Sequence, residues 1–156
     1  EMIPTYPNGC HICEVEIDIE TGKVTYTRHT GVDDVGMVIN PLLVDGQTHG
    51  AISQGIGQAM MENSVYDQQN GQLITGSLLD YALPKADDMP FFNVETNEVR
   101  APNNPFGIKG AGEGGTTGSP PAFINAVINA LSDYGVTQID MPATSEKVWR
   151  AINSSS

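Results

Sequence analysis

From Cys13 onward the chain alternates, with Cys13, Val15, Ile17 and Ile19 falling on one side and Glu14, Glu16, Asp18 and Glu20 on the other. A period of two is the mark of a half-buried strand, apolar face inward and acidic face outward. Thr21-Gly22 interrupts the pattern and Lys23-Val24-Thr25-Tyr26-Thr27-Arg28-His29 follows. The segment predicts a β-hairpin whose basic residues stand across from the acidic ladder as favourable cross-strand pairs. After Asp33-Asp34-Val35-Gly36 the signals become helical. Asn40-Pro41 is a cap followed by a proline and predicts a helix running to about Asn63. Gly46, Gly50, Gly55 and Gly57 each cost up to about 1 kcal/mol against alanine inside such a helix, which points to close approach by another backbone or by a ligand. Ser119 and Pro120 repeat the cap-then-proline signal, and Phe123, Val127, Ala130, Leu131 and Tyr134 follow at helical spacing until Gly135. Thr144 caps a third helix through Trp149 and Ile152, with Ser154-Ser155-Ser156 expected to fray. Between the helices Val65-Tyr66, Gln72-Leu73-Ile74-Thr75 and Phe92-Asn93-Val94-Glu95-Thr96 predict short strands, with a turn at Asp67-Gln68-Gln69-Asn70-Gly71. Asp87-Asp88 reads as a solvated loop, not a metal site.

These elements predict an α+β fold: a small mixed or antiparallel sheet covered by about three helices, beginning near Pro41, Pro120 and Ser145. The 156 residues, 39% of them hydrophobic, suffice for one domain, 1–156, with its own core. The formal charge of −12 disfavours nucleic acid and anionic membrane surfaces as partners. No apolar run approaches the roughly 20 residues that a membrane helix needs, and Glu1-Met2-Ile3-Pro4 does not open a signal peptide. A cytoplasmic protein without membrane insertion is expected.

The chemistry concentrates in Gly107-Ile108-Lys109-Gly110-Ala111-Gly112-Glu113-Gly114-Gly115-Thr116-Thr117-Gly118, where one acid stands among glycines just ahead of a helix. Glycines at this density let a ligand approach the main chain closely, and the helix dipole behind them favours an anion. Gly110, Gly112 and Gly115 satisfy G-x-G-x-x-G, but a dinucleotide loop follows a buried strand and runs straight into its helix, and Asn104-Pro105-Phe106-Gly107 is no such strand. Affinity for ADP or NAD is therefore not expected. Cys10 and Cys13 form C-x-x-C around His11, with no second pair to complete a zinc site, so Cys13 reads as an inward strand residue. Along the first predicted helix Gln47, Gln54 and Gln58 make a neutral stripe that is either a buried polar row or an interdomain surface.

The string Lys-Gly-x-Gly-Glu-Gly-Gly-Thr-x-Gly-Ser-Pro-Pro-Ala from Lys109, with Asn125-Ala126-Val127 and Ala130-Leu131 after it, resembles the C-terminal signature of molybdenum hydroxylase large subunits. These are the xanthine dehydrogenase, aldehyde oxidoreductase and carbon monoxide dehydrogenase family. The similarity extends through Tyr6-Pro7-Asn8-Gly9, Val32-Asp33-Asp34-Val35-Gly36, Ile39-Asn40-Pro41, Gly46-Gln47, Gln54-Gly55-Ile56-Gly57-Gln58-Ala59, Asp80-Tyr81-Ala82-Leu83-Pro84 and Met141-Pro142-Ala143-Thr144. Family large subunits are several times longer, so the chain resembles the last portion of their cofactor-binding domain.

The resemblance implies a share in the active site of an oxidoreductase that hydroxylates or oxidises a carbon centre with water-derived oxygen. The substrate would be carbon monoxide, an aldehyde or an N-heterocycle. Glu113 would be the general base, which needs hydrogen-bond reach to the proton it accepts and a desolvated setting. The implied cofactor is molybdenum-molybdopterin, in the cytosine dinucleotide form, contacted by Gln47, Asn40, Lys109, Gly110, Ala111 and Gly112. No residue here is implied as a metal ligand. Gln47 would match the family glutamine that hydrogen-bonds the apical oxo ligand, while His49, where relatives often carry glutamate, reads as a helix-surface residue. FAD and [2Fe-2S] would sit on partner subunits, a flavin subunit and an iron-sulfur subunit, beside the remaining part of the large subunit. The competing reading is a non-catalytic binding or assembly module that docks on other subunits.

Overall fold

The structure is a computed structural model, and it describes residues 4–154. The predicted hairpin is present and longer than the alternation alone indicated. Strand β1 (Asn8–Asp18) runs antiparallel to β2 (Lys23–Asp34), in register from Asn8 opposite Asp34 to Asp18 opposite Lys23, with one irregularity between Glu14 and Val15. Asp18 closes the turn by accepting hydrogen bonds from the Glu20 amide at 2.9 Å and the Thr21 hydroxyl at 2.8 Å. Arg28 meets Glu14 across the strands at 3.2 Å. Both side chains are solvated, so this pair contributes about 0.2–1 kcal/mol. Ile19 does not continue the inward face. It lies beyond β1 in the turn and is 46% exposed, because the chain reverses before another inward position is reached.

Strand β3 (Phe92–Thr96) adds parallel to the other edge of β2, giving a mixed sheet of order β1-β2-β3. Of the other expected strands, Val65-Tyr66 and Gln72-Leu73-Ile74-Thr75 form only an isolated bridge between Tyr66 and Leu73. All but the half-buried Thr75 are exposed, and two short segments with no core face to bury cannot extend a ladder. The turn at Asp67 forms as expected, with the Gly71 amide donating to the Asp67 carbonyl at 2.9 Å.

Helix α1 (Pro41–Met60) begins where the sequence indicates: the Asn40 side chain accepts from the Leu43 amide at 3.3 Å. It stops three residues before Asn63. Helix α2 (Gly114–Ala130) departs further from expectation, starting five residues before Ser119 so that Ser119, Pro120 and Pro121 lie within it. Tertiary packing overrides the proline signal here. A Cβ on Gly115 would lie 2.9 Å from Ala51 Cβ, Ile52 N and Thr48 O, so only glycine lets the two helices come this close. The hydroxyls of Thr116 and Ser119 then donate to the α1 carbonyls of Ala51 and Ile52 at 3.0 and 3.3 Å.

The core sits between this crossed helix pair and the inner sheet face. Ile52, Ile56, Phe123, Val127, Leu131 and Val148 are fully buried there. The buried stripe of α2 repeats every four residues, which leaves Ala130 and Tyr134 outside, contrary to the sequence pattern. Helix α3 (Ser145–Ser154) closes one end with Val148 and Ile152 inward and Trp149 half-exposed. Thr144 caps it through a long contact with the Lys147 amide, 3.4 Å. Of the three terminal serines expected to fray, Ser154 ends the helix and Ser155 and Ser156 lie outside the described residues.

Candidate functional site

The site is assembled where β2 ends. Gly36 (φ 69°) and Gly107 (φ 69°) allow two tight bends that bring residues 35–37 beside residues 107–109. The Met37 amide donates to the Gly107 carbonyl and the Lys109 amide to the Val35 carbonyl, both at 2.9 Å. Asp34, buried at the end of β2, locks this clasp. Its carboxylate takes the Lys109 ammonium on one oxygen and the amides of Gly36 (2.8 Å) and Val99 (3.1 Å) on the other. The Lys109 ammonium and these amides hold the Asp34 carboxyl down to about pKa 2, since each stabilises the charged form.

Beyond the clasp the chain runs through Gly110, Ala111 and Gly112 to Glu113, the residue immediately before α2. Asn40, Lys109 and Ala111 line one cleft of about 300 Å³, together with Leu43 and Val44 of α1. Gln47, one turn further along α1, faces the loop: a Cβ on Gly112 would come 3.7 Å from Gln47 Oε1. Gly110 opens on the far side, toward Pro7, Thr5 and Asn103. Of the six residues implied as cofactor contacts, Asn40, Lys109 and Ala111 share this cleft and Gly112 faces Gln47, while Gly110 opens on the other side of the ridge that residues 109–112 make beside α1.

Glu113 is exposed, and its carboxylate has no hydrogen bond or ion pair among the described residues. Its carbonyl accepts from the Thr117 amide and hydroxyl, both at 2.9 Å, which fixes the backbone while leaving the side chain free. Gln54 and Gln58 are exposed further along α1, outside this cleft. His49 is also exposed, its ring edge-on to Phe92 at 5.6 Å. Asp88 binds back to the Lys85 amide at 2.8 Å, a local cap in a short 3-10 turn.

Sequence reasoning missed a polar row that runs through the hairpin from Asp33 to Cys13. His11 Nε2 is 3.2 Å from Asp33 Oδ1, His11 Nδ1 is 2.8 Å from His29 Nε2, and His29 Nδ1 meets the Tyr26 hydroxyl at 2.5 Å and Cys13 Sγ at 3.3 Å. The signal was present in the register, since Cys13 pairs with His29 and His11 with Gly31. Along the chain His11 stands between two cysteines and His29 at the end of a basic run, and neither local pattern marks a contact between them.

Burial and the neighbouring His11 push His29 down to about pKa 4 from 6.5. Above pH 6.5 His29 is neutral whether folded or unfolded, and its contribution to stability is fully present. Between pH 6.5 and 4 the unfolded chain takes up a proton that the folded chain refuses, so stability is lost as the pH is lowered, by at most about 1.4 kcal/mol per unit from this group. Urea midpoints measured from pH 7 to pH 4 are expected to show this slope, and His29→Phe to reduce it.

The chain is similar to known proteins over nearly its whole length. Residues 1–90 fit the model of the molybdopterin cofactor-binding domain. The carbon monoxide dehydrogenase large chain of Hydrogenophaga pseudoflava is 39% identical, and the nicotine 6-hydroxylase large subunit of Paenarthrobacter nicotinovorans 42% identical, each over 95% of this chain. CO dehydrogenase from Oligotropha carboxidovorans superposes with a TM-score of 0.91 over 96% of the chain at 33% identity, covering 18% of that protein. The chain belongs to the molybdopterin cofactor-binding domain family. Within it, the chain corresponds to part of the large subunit of a molybdenum hydroxylase, spanning 18% of the length of both curated relatives.

The ridge suits such a group on its own evidence. Gly110, Gly112 and Gly114 have no positive φ, and a Cβ on each would meet its nearest atom only at 3.8, 3.7 and 4.0 Å. Neither backbone strain nor internal crowding requires glycine at these positions. What remains is a bared main chain whose amides are open to a large ligand.

Proposed function

We propose that this chain forms one wall of a molybdenum-cofactor site in an enzyme that hydroxylates or oxidises a carbon centre with water-derived oxygen, with Glu113 as the general base. The observation that carries this reading is the unpartnered Glu113 carboxylate beside a glycine-bared ridge that also holds Gln47. A bound molybdopterin would supply the redox centre for oxygen transfer to carbon. Glu113 takes up a proton on its free carboxylate oxygen, and its backbone is held by Thr117 so that the side chain alone adjusts. The amides of residues 110–112 face the ligand and stabilise negative charge there. Gln47 offers a neutral amide, able both to donate and to accept, and Asn40 and Lys109 border the cleft. The Lys109 ammonium is already committed to Asp34 and its amide to the Val35 carbonyl, so Lys109 holds the loop and only its carbonyl and side-chain stem border the cofactor.

In the complete enzyme, in the cytoplasm, the remaining part of the large subunit would cover this ridge. Partner subunits carrying FAD and [2Fe-2S] would remove the electrons, and the cofactor would take its cytosine dinucleotide form. The substrate is a carbon monoxide, aldehyde or N-heterocycle molecule. Gln47→Ala is expected to lower cofactor occupancy or alter its absorption and electron paramagnetic resonance spectra, since the truncation removes an amide at the ridge. Unaltered spectra at full occupancy would remove Gln47 from the site.

A second reading is favoured by the exposure of Leu79 (94%) and Phe91 (100%): the chain is a module that docks on other parts of its assembly without taking part in chemistry. Combining it with the missing part of the subunit separates the two. Restored hydroxylation supports the active-site reading, and association without restoration supports the docking module.

A further inference from the structure

The imidazole of His11 lies between two glycines that the backbone does not need. A Cβ on Gly31 of β2 would come 3.2 Å from His11 Cε1, and a Cβ on Gly118 of α2 would come 2.6 Å from His11 Cδ2. Neither glycine has positive φ, and Gly118 stands inside a helix, where it costs about 1 kcal/mol against alanine. Both make sense as space for the ring. The ring in turn cannot swing aside: its side chain is 4% exposed, and both nitrogens are engaged, Nε2 with Asp33 and Nδ1 with His29.

The proton positions follow from chemistry. An ionised Asp33 carboxylate only accepts, so His11 Nε2 carries the proton and donates to it. In the neutral ring Nδ1 then accepts from His29 Nε2–H, which leaves His29 Nδ1 to accept from the Tyr26 hydroxyl. The Cys13 thiol stands beside the same His29 nitrogen at 3.3 Å and donates to the Tyr26 hydroxyl oxygen at 4.0 Å, and both nitrogens of the His11 ring have a partner.

We propose that His11 is a positioning residue for the reaction centre: a rigid wedge that sets how far the first turns of α2, and with them Glu113, stand from the sheet. The inference rests on the reading of Glu113 as the base. Gly118 follows Thr117, whose amide and hydroxyl both hold the Glu113 carbonyl. The other end of the loop is Lys109, pinned by Asp34. Adjacent residues of β2 therefore fix both ends of the catalytic loop, Asp34 directly and Asp33 through the His11 ring.

The test is made in the complete, cofactor-loaded enzyme with Gly118→Ala, His11→Ala, the double variant and His11→Gln, beside Glu113→Gln. A displacement of the base by an ångström costs up to about 100-fold in rate, so Gly118→Ala and His11→Ala are each expected to lower kcat at least about 10-fold with KM and molybdopterin content unchanged. The double variant, in which the added methyl meets no ring, should be no slower than Gly118→Ala alone. His11→Gln, whose amide reaches about as far as Nε2, should recover part of the loss. A crystal structure of Gly118→Ala is expected to show residues 113–118 moved away from β1. If Gly118→Ala does not fold, Asp33→Asn, which keeps shape and weakens the hold on the ring, should lower kcat in the same way. Wild-type kcat in the single variants, or additive losses in the double, overturns the wedge while a dead Glu113→Gln keeps the base. A fully active Glu113→Gln overturns the base itself, whatever the His11 variants do.

Discussion

Replacing Glu113 by glutamine is expected to lower turnover of the complete enzyme by about 100- to 10,000-fold while its molybdopterin content stays at the wild-type level. Glutamine matches the shape of glutamate but cannot accept the proton. In this chain the substitution breaks nothing else, because the Glu113 carboxylate has no hydrogen bond or ion pair among the described residues and its side chain does not cap α2. Folding and cofactor loading should therefore be spared, and the defect should appear in kcat. Steady-state kinetics beside a molybdenum assay decide the matter. Unchanged turnover would reduce Glu113 to an acid that merely complements the dipole at a helix head.

Phe123→Ala is expected to carry the largest structural penalty, about 3–5 kcal/mol. Phe123 is fully buried at the centre of the core, and its ring stands edge-on to Tyr26 at 5.8 Å, tying α2 to β2. Truncation removes that contact and leaves a cavity between helix and sheet that close-packed Ile52, Ile56 and Val127 cannot fill without strain. Against a typical total stability of about 5–15 kcal/mol the loss is large. Denaturant midpoints of wild type and variant measure it, and a shift below about 1 kcal/mol would mean that α2 is held chiefly by its crossing with α1.

Much of this molecule was legible in its residues. The alternation from Cys13 defined the hairpin, because a period of two admits one face inward. Asn40-Pro41 located the start of α1, because cap chemistry acts within a single turn. The string around Glu113 announced both the family and the candidate base. Local signals failed where a distant contact outweighed them. The proline at position 120 marks a helix start in isolation, yet α2 begins at Gly114 because Gly115 and Ser119 fit against α1. Ala130 and Tyr134 had helical spacing, but which stripe is buried depends on the crossing angle of α1 and α2, and that depends on both helices together.

The sequence by itself determined the hairpin, the three helices and β3, the family and the acid on which the chemistry is proposed to turn, because propensity, capping and motif identity are properties of neighbouring residues. Only the tertiary structure decided that Asp34 takes the Lys109 ammonium from 75 positions away, that Gln47 faces Gly112, and that His11 is wedged between Gly31 and Gly118. Such meetings depend on how separate elements pack, and hydrogen-bond partners far apart along the chain leave no periodic trace in it.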